Sequence, residues 1–168
     1  MAIPKVDLVT WFKRMNAFPM GSHALDRVLW RVVPFNQILK PHVLDVTLDE
    51  VRVGLKMRKA LHNHLGSLHA GVMFTLGEYA QGLLIMANSG AMGAELILVR
   101  LTIDYVAKGR GDVVCTARIT EETRQTVKAG LARGENTGFV QQSTLTDAMT
   151  GQELAVAKGT WKARPPKR

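Results

Sequence analysis

Cysteine is almost missing from this chain of 168 residues: Cys115 stands alone. One thiol cannot close an internal disulfide, so a reducing, cytoplasmic setting is expected. Proline is missing across the middle, with none between Pro41 and Pro165. Aromatic residues are sparse and not interleaved with the basic ones, which argues against a nucleic-acid interface. No apolar stretch is expected to be long enough to cross a bilayer, and no membrane partner is expected. The segment from Met1 to Asp7 has no apolar core followed by a small-residue cleavage site, so no signal peptide is expected. Repeats, low-complexity tracts and a clear linker are also lacking.

Acidic residues are outnumbered. Against 22 Lys and Arg there are 14 Asp and Glu, a formal charge of +8. That balance favours an anionic partner, such as a phosphate-bearing small molecule. The basic residues form no dense block. Lys162, Arg164, Lys167 and Arg168, with Pro165 and Pro166, read as a frayed and solvated tail. A chain this long fits one domain and buries roughly 70% of its unfolded surface.

Leu8, Trp11, Phe12 and Met15 recur at helical spacing, so residues 5–16 read as an amphipathic helix ended by Pro19 and Gly21. Ser22 reads as the cap of a second helix carrying Leu25, Val28, Leu29 and Val32, stopping before Pro34. The period then changes to two. Leu44, Val46 and Leu48 alternate with polar residues, as do Val51, Val53, Leu55 and Met57, with a turn or bulge at Asp49-Glu50. Ile97, Val99, Leu101, Ile103 and Tyr105 alternate strictly, and Lys108 to Gly111 turns the chain into a strand from Val113 to Ile119. Residues 121–132 read as a weak helix; 137–146 and 153–163 read as a hairpin. Between the two strand regions lies the apolar run Val72 to Ala87. A helix apolar on every side must be buried, so an antiparallel sheet curled around it is the economical α+β architecture.

Chemistry concentrates at the start of that helix. His62, Asn63, His64, Gly66 and His69 lie in the loop that feeds it. Ala70 and Gly71 open it, and Glu78 is the one acid inside. A buried carboxylate is costly unless it is paired or has work to do. Thr75, Gln81 and Gly82 are its helical neighbours, and Thr75 or Gln81 could hydrogen-bond it. Gly77 and Gly82 each cost roughly 1 kcal/mol against alanine in a helix interior, which suggests that a partner helix or an extended ligand comes close. Unpaired N–H groups at the helix start suit a developing oxyanion. His62, His64 and His69 could be weighed as zinc ligands, but no acid or cysteine stands near enough to complete the set, so no metal is expected. Cys115, between Val113 and Ala117, reads as inert core. Asp104 and Asp112 read as solvated turn residues.

This arrangement resembles the hotdog-fold thioesterase superfamily, and within it the phenylacetate-pathway type of acyl-CoA thioesterase. Asn63 precedes His69 by the family's interval, His69-Ala70-Gly71 stands at its His-Gly-Gly position, and Glu78 falls where it has a catalytic Asp or Glu. Pro34-Phe35-Asn36 together with Asn63 to Gly71 is more similar still to a hotdog branch known only as a domain of unknown function. The resemblance covers 34–163, with 1–33 as a helical extension and 164–168 as a basic tail. It implies a homodimer with sheets joined edge to edge and sites shared between subunits, with tetramers left open. Carried over, Ala70 or Gly71 N–H would hold the thioester oxygen, while Asn63 and His69 would orient acyl group or water. Glu78 would act as general base or nucleophile, and Thr75, Gln81, Gly82 and His64 would line the substrate. The substrate would be an acyl-CoA or acyl-carrier thioester, with coenzyme A as part of the substrate and no separate cofactor. Arg100, Lys108, Arg110 and Arg118 could grip its phosphates, but none is singled out. Two departures stand out: Ala70 replaces the first glycine, and Glu78 is longer than the commoner Asp.

Two other functions fit the residues less well. A hydroxyacyl-thioester dehydratase or hydratase would pair Glu78 with a histidine such as His64, but the proline-rich segment of that motif is missing. A non-catalytic acyl-ligand binder would keep the fold without the chemistry.

Overall fold

A computed structural model describes residues 7–18, 21–89 and 93–166. The elements are α1 (Leu8–Asn16), α2 (Gly21–Val32), α3 (Asn36–Leu39), β1 (His42–Val46), β2 (Glu50–Leu55), α4 (Ala70–Ser89), β3 (Glu95–Tyr105), β4 (Val113–Arg118), α5 (Glu121–Ala132), β5 (Thr137–Asp147) and β6 (Glu153–Arg164). A single 3-10 turn, Lys59–Leu61, precedes the loop that leads into α4. The six strands form one antiparallel sheet in the order β1-β2-β4-β5-β6-β3. The sheet packs its inner face on α4, the α+β hotdog arrangement that the resemblance implied.

Local chemistry explains most boundaries. Asp7 caps α1 by accepting the Thr10 amide at 3.1 Å, and Thr120 caps α5 by accepting that of Thr123 at 3.2 Å. Ser22 is not a cap: α2 begins at Gly21, which places it inside the helix. Pro19 falls outside the described residues. In β1 the register slips between Val43 and Asp45. The bulge turns Val43 and Val46 into the core and leaves Leu44 and Leu48 exposed, against the alternation read from the sequence. Lys162 and Arg164 are paired residues of β6 rather than a frayed tail; Lys167 and Arg168 lie outside the described residues.

α4 is 20 residues long and apolar enough that by length and composition alone it passes as a membrane span, contrary to the sequence expectation. Half of its apolar stretch is buried inside the protein, as befits the core helix of a sheet. Nor is it buried on every side. Met73, Leu76, Gly77, Ala80, Leu83 and Leu84 face the interior, while Phe74, Thr75, Glu78, Gly82 and Met86 form a less covered stripe at three- and four-residue spacing.

The rotation of α4 is fixed by a polar clamp. Gln81 is fully buried. Its Nε2 donates to Ser143 Oγ at 3.0 Å and to the Ala157 carbonyl at 3.2 Å. Its Oε1 accepts the Trp161 indole N–H at 2.8 Å, and Ser143 donates to the Gly77 carbonyl at 3.0 Å. Gly159 makes room: a Cβ there would stand 2.2 Å from Gln81 Oε1. At Gly77 a Cβ would meet that of Ala157 at 3.0 Å, so its close neighbour is the chain's own sheet.

Gln81→Leu keeps the volume but strips the Trp161 N–H of its acceptor. An orphaned buried donor costs about 1–3 kcal/mol. The unfolding free energy is expected to fall by that amount, read as a lower denaturant midpoint at an unchanged m-value; an unshifted midpoint would mean that the clamp contributes nothing.

Candidate active site

The loop before α4 is organised by Asn63. Its Oδ1 accepts the amides of Leu65 at 2.9 Å and Ser67 at 3.2 Å, and the Ser67 hydroxyl at 3.2 Å. The Leu68 amide is anchored to the Gly109 carbonyl and that of His69 to Leu61, at 2.8 and 2.9 Å. Asn63 therefore holds the loop through its oxygen. His62 and His64 are exposed in that loop.

His69 caps the helix. Its Nδ1 accepts the Gly71 amide at 2.9 Å, and its carbonyl accepts the amides of Val72 and Met73 at 3.0 and 3.3 Å. Gly71 N–H is thus occupied and is not the free donor that the resemblance suggested. The Ala70 amide, by contrast, has no acceptor among the described residues, and Ala70 is exposed. The Ala70 carbonyl accepts the Tyr105 hydroxyl at 3.0 Å, which ties the helix start to the end of β3.

Glu78 lies on the open stripe, half-buried. Burial raises its pKa above the ordinary glutamate value, and no cation among the described residues offsets that rise. Neither expected helical partner binds it. Thr75 donates back to the Gly71 carbonyl at 2.9 Å, and Gln81 is consumed by the sheet, so Gln81 is a structural residue rather than a substrate contact. Gly82 is half-exposed beside Glu78; a Cβ there would find only Trp161 at 3.7 Å, an ordinary contact. From Ala70 to Glu78 the helix rises about 12 Å and turns about 80°. One chain therefore cannot bring both groups to one carbonyl.

Among the described residues β3 pairs only with β6, which leaves its other edge open over a strand from Glu95 to Tyr105. Val99 on it is 58% exposed. A long apolar edge of this kind templates pairing with another chain.

Other residues weighed in the sequence serve the fold. Cys115 is buried and its thiol pKa is pushed up to about 12 by desolvation. Asp112 accepts the Met57 amide at 2.8 Å. Arg118 pairs with Glu50 at 2.7 Å. Two surface cavities, of about 350 Å³ beside Arg118 and Lys158 and about 250 Å³ beside Arg27 and Arg31, do not include Glu78. The sequence reading missed one cluster altogether: His23, Asp26 and His42. Its signal was the i, i+3 spacing of His23 and Asp26, which puts both on one face of α2.

The family model of a domain of unknown function, DUF4442, matches residues 21–160. The chain belongs to the DUF4442 family. Solved structures share the fold of this DUF4442 chain. A Shewanella oneidensis protein, named provisionally as a thioesterase, is 16% identical with a TM-score of 0.74, covering 86% of this chain and 97% of its own. A Pseudomonas aeruginosa protein of unknown function, also provisionally a thioesterase, is 23% identical with a TM-score of 0.71, covering 89% and 97%. Zebra fish thioesterase superfamily member 2 is 21% identical with a TM-score of 0.66, covering 83% and 93%. Identities this low speak for the fold. No curated protein matches the chain.

Glu78 gives a signed stability prediction. Below pH 4.5 its carboxyl is neutral in folded and unfolded chains alike. As pH rises through the elevated native pKa, the folded state takes on the penalty of a desolvated charge and loses that stability. Glu78→Gln is therefore expected to raise Tm at neutral pH, with a gain that fades toward pH 4.5. A pH-independent Tm difference would contradict the desolvation of Glu78.

Proposed function

We propose that this protein hydrolyses acyl thioesters of coenzyme A or an acyl carrier. It does so as a homodimer in which Ala70 of one protomer faces Glu78 of the partner subunit. The observation that carries the reading is the pairing of two unspent groups on one helix: a free amide at its start and a desolvated, unpaired carboxylate two turns on. Each lacks a counterpart among the described residues of its own chain. The open edge of β3 and the uncovered stripe of α4 are the surfaces through which a second copy supplies it, and the resemblance to thioesterases supports the choice of substrate.

In the reaction the thioester oxygen accepts from Ala70 N–H, aided by the positive end of the helix dipole. Glu78 takes a proton from water as the water oxygen attacks the carbonyl carbon. The tetrahedral oxyanion collapses, the C–S bond breaks, and the thiolate recovers the proton from Glu78. A raised pKa suits this base, since proton transfer works best when its pKa lies nearer the working pH. Activity is then expected to rise with pH through the Glu78 pKa. No observation favours the dehydratase alternative, because His64 is exposed in the loop.

Two variants test the site. Glu78→Ala is expected to lower kcat on an acyl-CoA panel by about 10²- to 10⁴-fold. Ala70→Pro removes the amide hydrogen at the first helical position, where proline's fixed φ suits the helix and the extended backbone it favours at His69 suits a cap, and is expected to lower kcat by about 10²- to 10³-fold. Mixing the two dead proteins under subunit exchange then restores activity toward about a quarter of wild type, since half the dimers are mixed and each holds one intact site. Unchanged turnover in either variant, or no recovery on mixing, would defeat the shared-site reading.

A further inference from the structure

Away from the proposed catalytic groups, three side chains converge where the helical extension meets the sheet. His23 and Asp26 project from one face of α2, and His42 opens β1. Their ligating atoms all lie within 4.8 Å of one another. Asp26 is 1% exposed. Its Oδ1 accepts the Val43 amide at 2.9 Å. Its Oδ2 contacts His42 Nδ1 and lies 3.9 Å from His23 Nδ1. The two imidazole rings stack with centroids 4.9 Å apart.

We propose that His23, Asp26 and His42 bind a divalent transition-metal ion, with zinc the best fit, at the joint between α2 and β1. Three features point this way. First, the donor set, two imidazole nitrogens and one carboxylate oxygen, is what zinc accepts, with ligand bonds of about 2.0–2.2 Å. Second, the carboxylate is pre-oriented. The Val43 amide holds one oxygen and leaves the other aimed at both rings, the outer-shell support that metal ligands commonly have. Third, the adjustment is small. A tetrahedral ion needs its donors about 3.4 Å apart; His23, exposed at the protein surface, has the freedom to swing inward, and the half-buried His42 ring gives up its hydrogen bond to Asp26 and turns outward to admit the ion.

The buried Tyr79 hydroxyl adds a further polar group. It has no hydrogen-bond partner among the described residues. An ion at this joint would cross-link α2 to the strand at the far end of the sheet from β3. Solvent would complete its coordination on the His23 side. The role is structural, because the donors come from the packing of the extension and not from the loop before α4.

The test uses the full-length protein, stripped with a chelator and dialysed, then titrated with zinc against a chromophoric competitor while Tm is followed. One zinc per chain and a higher Tm are expected. His23→Ala alters an exposed side chain and leaves the fold intact; it is expected to weaken binding by about 100-fold and to abolish the Tm shift. Cobalt in place of zinc should give the visible band of a low-symmetry, nitrogen-containing site, lost in the same variant. A His62→Ala, His64→Ala double variant should bind as wild type does. No stoichiometric binding, binding indifferent to His23→Ala, or binding lost in the double variant would each overturn the site.

Discussion

The hydrogen bonds of Gln81 decide which way α4 faces. A helix apolar around most of its circumference has no strong preference for one rotation against a sheet, because area burial is non-directional. A buried amide does have one. It must find donors and acceptors, and here they are Ser143, Ala157 and Trp161 on β5 and β6. With Gln81 pinned inward, Glu78 falls on the less covered side, within reach of whatever packs there. Gly159 and Gly77 are the small residues that let the helix and sheet come close enough for the clamp to form. Gln81 lies three residues and about 60° around the helix from Glu78, so the clamp sets where the carboxylate stands from an adjacent face.

Desolvation costs free energy at Glu78, and the same feature gives the carboxylate its basicity. A fully solvated acid would be a poor base near neutral pH, and a fully buried one would be inaccessible. The half-buried position lies between these limits. Similar reasoning separates the two histidine-rich regions. In the loop before α4, His69 spends its Nδ1 on capping the helix. At the α2–β1 joint, both rings turn Nδ1 toward a buried carboxylate.

Much of the architecture was legible because its periodicities were clean. Apolar residues alternate from Ile97 to Tyr105 in the sequence of β3, although a bulge between Leu98 and Arg100 shifts its pairing, and α4 announces itself as an apolar run bounded by glycines and polar residues. β1 was misread at Leu44 because a bulge resets the phase, and nothing local in the sequence reports it. For the candidate site the sequence offers a list of residues but not their contacts. Thr75 and Gln81 look alike beside Glu78; only the distant residues Ser143 and Trp161 assign one of them to the core. Gly71 and Ala70 look interchangeable as donors until the His69 ring is seen to accept from one of them. The His23, Asp26 and His42 grouping escaped because its third member arrives from a strand that the helical pattern does not foretell.

The bond from Tyr105 to the Ala70 carbonyl joins the last residue of the sheet's open margin to the first residue of the core helix. Anything that seats against that margin therefore also leans on the peptide whose neighbouring N–H stands ready for an anion. In the proposed dimer, assembly and reactivity would share a lever: a neighbour that braced the strand would steady the amide as well.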